Sequence, residues 1–118
     1  MTSTSARELE HPQCGEIRLE AVLHALSDPM RLQIVRYLAT LGRDGEAPCS
    51  AIDLVVTKST STHHFRVLRE AGVICQIYQG TAKMNRLRRE DLDELFPGLL
   101  GTILDADAAQ CRRLGDGH

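Results

Sequence analysis

Tryptophan is absent from this 118-residue chain, and all aromatics together make up only 3%. Proteins that grip unpaired nucleic-acid strands stack bases on exposed rings, so that class is disfavoured. No apolar run reaches bilayer-spanning length and no signal-peptide pattern opens the chain. These absences predict a cytoplasmic protein. The four cysteines, Cys14, Cys49, Cys75 and Cys111, form no C-x-x-C pair. A disulfide framework is therefore not expected, and each thiol reads first as a small apolar side chain. Nucleophile-elbow and phosphate-loop motifs are missing, as is a placed pair of acids, so the chain does not read as an enzyme.

What is present is a charge asymmetry. The net charge of −2 is small. Yet residues 57–89 hold seven Lys or Arg against the single acid Glu70, a local balance of +6. The flanking segments are acidic. One basic segment in an acidic chain points to a polyanion partner, with a solvated face as the plain alternative.

Hydrophobic periodicity divides the chain. Residues 1–15 are polar and aperiodic and read as a mobile arm. The spacing of Ile17, Ala21, Val22, Ala25 and Leu26 predicts a helix over 16–26. Asp28-Pro29 restarts the chain as a cap followed by a first-turn proline, and a second helix is expected over 30–41. A Gly- and Pro-containing loop follows. A short helix is expected over 50–56, with a strand as the alternative for its valine pair. Ser59 is the expected N-cap of the next helix, which Gly72 stops. Residues 73–78 and 83–87 read as a hairpin turning at Gly80. A helical turn over 90–96 and a final helix over 99–113 complete the domain, with 114–118 as a tail. The final helix shows an apolar stripe of Leu99, Leu100, Ile103, Leu104, Ala108 and Cys111, suited to packing on the domain or on a second subunit. The expected fold is mainly α with a β-hairpin wing: a winged helix-turn-helix in one domain, 16–113.

The helix over KSTSTHHFRVLRE carries the chemistry. At about 100° per residue, Phe65, Val67, Leu68 and Ala71 share one arc. Thr62, His63, Arg66, Arg69 and Glu70 share the other. An outward face of hydroxyl, imidazole and guanidinium groups suits the major groove, where N-terminal residues of a helix reach base edges. Lys58, Ser59, Thr60, Thr62, His63, Arg66 and Arg69 are the candidate DNA contacts on this helix. Lys83, Asn85 and Arg86 on the returning strand are candidates for a wing on the phosphate backbone or in a minor groove. His64 falls in the apolar arc and reads as a satisfied, half-buried histidine.

Three segments, LHALSDPMRLQIVRYL (23–38), STSTHHFRVLREAGVI (59–74) and YQGTAKMNRLRRE (78–90), resemble the ArsR/SmtB family of bacterial winged-helix repressors. The resemblance implies a homodimer built on the first and last helices. It implies recognition of double-stranded operator DNA, with Lys58, Ser59, Thr62 and His63 at the family's contact positions, and release by an inducer. The sequence departs from the family's metal sensors. The Cys-x-Cys-Asp motif is replaced by Cys49-Ser50-Ala51-Ile52-Asp53. The last helix offers Asp105, Asp107 and Cys111 but no histidine before His118. The resemblance leaves Cys14 and Cys49 as candidate ligands for a thiophilic metal or metalloid such as As(III), paired between subunits. The start of a helix at Cys49 would favour its thiolate.

The leading expectation is a dimeric, sequence-specific repressor. A thiol-based sensor variant of it, responding to arsenite or oxidation, is one alternative. A winged-helix module that docks a protein partner is another.

Overall fold

The computed structural model describes residues 6–115. The expected tail from 116 onward and residues 1–5 of the expected arm lie outside the described residues. The chain folds as β1 (Ala6–Glu8), α1 (Leu19–Ala25), α2 (Pro29–Ala39), β2 (Ala47–Pro48), α3 (Lys58–Glu70), β3 (Ile74–Gln79), β4 (Ala82–Leu87), α4 (Arg89–Leu95) and α5 (Leu99–Leu114). Short 3-10 turns at Cys14–Glu16 and Cys49–Ala51 join them. No helix among the described residues is long and apolar enough to cross a membrane.

The strands form one antiparallel sheet in the order β1-β3-β4-β2. The β3–β4 hairpin pairs Gln79 with Ala82 and Ile74 with Leu87, and Gly80 takes φ 65° in the two-residue connection. The expectation of a mobile arm over 1–15 is corrected within the described residues. Residues 6–8 add a strand to the hairpin edge, Ala6 opposite Gln79, and the Leu9 N–H donates to the Gln76 carbonyl at 3.3 Å. Unpaired β3 backbone offers those bonds, and a polar segment can take them without an apolar pattern.

Asp28 caps α2 as expected: its carboxylate accepts from Met30 N at 2.8 Å and Arg31 N at 3.2 Å, with Pro29 in the first turn. Val22, Ala25, Leu26, Ile34, Val35, Leu38, Phe65, Leu68, Val73 and Ile74 fill the core between α1, α2, α3 and the sheet. Gly72 ends α3 with φ 86°. The Gly72 and Val73 N–H groups donate back to the Arg69 and Leu68 carbonyls, which closes a left-handed cap.

Three boundary expectations are corrected. α1 begins at Leu19 and not at 16, because Ile17 stays extended (φ −74°, ψ 129°) and buries itself over Gly72. The segment 50–56 is not a helix. Only Cys49–Ala51 turns, and Val55 projects into solvent at 92% exposure. β-branching lowers the helix propensity of Val55 and Val56, which lie in a bend, and Thr57 is extended (φ −67°, ψ 162°) as the cap of the next helix. That cap is the third correction: Thr57, and not Ser59, accepts the Thr60 N–H at 3.2 Å, so Ser59 lies inside the first turn.

On α5, Leu100 is buried and Leu99, Ile103 and Leu104 pack partly against the core, but Ala108 is exposed. Its place in the inward stripe goes to Asp107, whose side chain is 5% exposed and pairs with Arg36 at 2.7 Å. An ion pair to α2 therefore seats the middle of α5 where the sequence pattern suggested apolar contacts alone.

Candidate nucleic-acid interface

α3 presents the expected polar face. Phe65 and Leu68 are sunk in the core, while Lys58, Ser59, Thr62, His63 and Arg66 are exposed and line one open hollow along the helix. An Arg66 N–H donates to His63 Nδ1 at 3.1 Å, so the two side chains are held as a pair. Thr60 is also exposed, but its hydroxyl accepts from that of Thr57 at 3.0 Å and belongs to the cap.

Lys83 of β4 joins this face. It borders a second hollow, between α3 and the hairpin, together with Lys58 and Thr62. Its ammonium lies 5.4 Å from the ring centre of Tyr78, its cross-strand partner.

Three expected contacts are not brought to this surface. Asn85 is fully buried: its amide donates to the Ala47 carbonyl at 3.1 Å and to Cys49 Sγ at 3.3 Å, and its oxygen accepts from Gln76 at 2.7 Å. Arg69 turns back toward the sheet and donates to Gln76 Oε1 at 2.8 Å. Arg86 lies opposite Cys75 and faces a hollow behind the hairpin, because residues 83 and 86 alternate to opposite faces of a strand. Arg69, Gln76 and Asn85 thus form one chain of hydrogen bonds from α3 into the wing, buried at Gln76 and Asn85.

His64 is 8% exposed, as its place on the apolar arc suggested. Arg31, also buried, directs Nη1 to His64 Nδ1 at 3.2 Å and Nε to the Ala25 carbonyl at 2.7 Å. Burial pushes the His64 pKa down, against the pull of Asp28 at 3.9 Å. A neutral ring accepts the Arg31 proton, so this histidine is a structural acceptor on the inner side of α3.

Sequence reasoning missed Arg31 and Gln76. The hairpin register carried a signal for Gln76: a turn at Gly80 sets it opposite Asn85, two amides at mid-strand where apolar pairs are usual.

The two candidate sensor thiols sit in different settings. Cys14 lies against α4, where desolvation and then the Asp91 carboxylate raise its pKa. Cys49 packs on Asn85 and starts only a three-residue 3-10 turn, so the helix end expected to favour its thiolate is not formed. Among the described residues no three His, Cys, Asp or Glu side chains converge as a metal site.

Comparison with known proteins agrees with this geometry. A helix-turn-helix domain family matches residues 26–76. The HTH-type transcriptional regulator YceK of Bacillus subtilis (strain 168) is 33% identical over 84 residues, covering 70% of this chain and 82% of the relative. In solved structures the fold is similar to an ArsR family transcriptional regulator, with a TM-score of 0.56 and 21% identity over 83% of this chain and 96% of that one. It is also similar to the transcriptional repressor BigR from Xylella fastidiosa, with a TM-score of 0.52 and 23% identity over 66% of this chain and 85% of that one. These relatives are regulators and not enzymes. With an exposed cationic helix face beside a hairpin wing, the chain belongs to the helix-turn-helix transcriptional regulators, built on the ArsR-like winged-helix fold.

Proposed function

We propose that the protein is a homodimeric repressor that binds operator DNA through α3 and lets go when an inducer binds. The observation that carries the reading is the single solvent-facing row of Lys58, Ser59, Thr62, His63 and Arg66 on a helix whose other side is locked into the core. Thr62, His63 and Arg66 would meet base edges, Arg66 with a fork that suits guanine. Lys58, Ser59 and the free N–H groups of the first turn would hold phosphates. Lys83 would continue the backbone contact from the wing.

Dimerisation is supported by what α1 leaves uncovered. Leu19 and Leu23 are 43% and 44% exposed, on one face of a helix. Two such faces, with the outer side of α5, would form the interface that places two recognition helices about one DNA turn apart.

The test is fluorescence anisotropy with the duplex upstream of the protein's own gene, across a salt series. Affinity should fall steeply with salt. Arg66→Ala and His63→Ala should each weaken specific binding about tenfold, with circular dichroism unchanged. Wild-type affinity in both variants defeats the reading. Salt-insensitive or absent duplex binding would favour a protein-docking role for the same face.

A further inference from the structure

Behind the hairpin lies a hollow of about 370 Å³. That volume falls in the range of roughly 300–1,000 Å³ typical of small-molecule sites. Its walls come from the segment before α1 (His11, Pro12), the loop after α2 (Arg43, Asp44), β4 (Arg86) and the start of α4. Four guanidinium groups border it: Arg43, Arg86, Arg88 and Arg89.

Three of these are committed. Arg43 pairs with Glu90. Arg88 pairs with Asp91 at 2.9 Å and donates to the Pro12 carbonyl at 2.8 Å. Arg89 lies 3.8 Å from Asp93. Among the described residues, the Arg86 side chain has neither an ion-pair nor a hydrogen-bond partner, although the residue is half-buried. Removing a cation from water without a partner is unfavourable, and a guanidinium fork matches a carboxylate with two parallel N–H···O bonds.

The charge of the lining narrows the ligand. Among the described residues Glu90, Asp91 and Asp93 match Arg43, Arg88 and Arg89, which leaves Arg86 and Asp44 as the unmatched charges of the lining. One unmatched guanidinium suits a single carboxylate, and the nearby Asp44 disfavours a doubly charged phosphate.

The site is also wired to the DNA face. Arg86 directly follows Asn85, whose side chain bonds Gln76, which in turn bonds Arg69 on α3. We propose that this hollow binds a small monocarboxylate, with Arg86 clamping the carboxylate, and that occupancy weakens DNA binding. The second half rests on the repressor reading above.

The first experiment uses the full chain without DNA. Acetate, lactate and benzoate are titrated by calorimetry, with inorganic phosphate as the comparison. At least one carboxylate should bind one per chain. Arg86→Gln and Arg86→Lys should each weaken it at least tenfold while keeping the wild-type circular dichroism, and Arg66→Ala should leave it unchanged. No heat from any of the three carboxylates, phosphate binding as tight, or full affinity in the folded Arg86 variants overturns the site. The second experiment adds the binding carboxylate to the protein–duplex complex. A several-fold loss of duplex affinity supports the coupling, and an unchanged affinity overturns it. A chain that binds the carboxylate but no duplex supports the site and counts against the repressor reading.

Discussion

The guanidinium of Arg31 lies 3.2 Å from Nδ1 of His64 and joins α2 to the inner side of α3. The same side chain donates to the carbonyls of Ala25 at 2.7 Å and His24 at 3.4 Å. One residue therefore ties three helices and satisfies carbonyls at the end of α1.

Replacing Arg31 by Met keeps most of the packing and removes the donors. The Ala25 carbonyl and His64 Nδ1 are left buried without partners, at a cost of about 1–3 kcal/mol. Urea denaturation should show a lower midpoint for Arg31→Met with an unchanged m-value.

His64 makes stability depend on pH. Its folded pKa is lowered from the ordinary 6.5, first by burial. The unfolded chain then binds the proton more readily than the folded one, so stability falls as the pH drops from about 6.5 through the folded value. Between pH 7 and pH 5 the wild type should lose more stability than His64→Gln, which cannot titrate. Parallel pH profiles for the two proteins in urea titrations would assign the loss elsewhere.

Gly72 is fixed by its backbone and by its neighbour. At φ 86°, a Cβ built there would lie 2.5 Å from Ile17 Cγ1. Gly72→Ala should cost roughly 2 kcal/mol or more, the sum of left-handed strain and displaced packing. Ile17→Ala should relieve part of that in the double variant, as a thermal-melt cycle would show.

Lys58 and Asn85 separate a surface role from an interior one. Lys58→Ala should leave the melting temperature unchanged and reduce the salt slope of duplex binding by about 1. Asn85→Ala should destabilise the fold by about 1–3 kcal/mol, because Gln76 and the Ala47 carbonyl lose their partner. An Asn85→Ala protein of wild-type stability would contradict its interior placement.

Much of this was legible in the sequence. The Asp28-Pro29 cap, the left-handed Gly72, the hairpin turning at Gly80 and the inward His64 all follow from short-range rules, because each depends on residues a few positions apart. What was not legible depends on long-range partners. Polar type and position on a basic strand suggested that Asn85 would face DNA, yet Gln76 and the Ala47 carbonyl draw it inside. Arg69 sits on the outward arc of the wheel, but a long side chain at the end of a helix can fold back over the sheet. Asp107 lay outside the apolar stripe read on the last helix, yet Arg36, far away in the chain, supplies the counter-charge that lets it be buried. The Thr57 cap was missed because a neighbouring serine offered the same chemistry two residues later.

The cap at Gly72 has a mechanical consequence. Only Ala71, Gly72 and Val73 separate α3 from β3, and the bonds from Val73 to Leu68 and from Arg69 to Gln76 cross that junction. The helix and the wing are thereby the two prongs of one solid fork. On the dimeric repressor reading proposed above, a signal could not retune the gap between the prongs without breaking core contacts; it would tilt the fork as a unit, and so change how two copies span successive grooves.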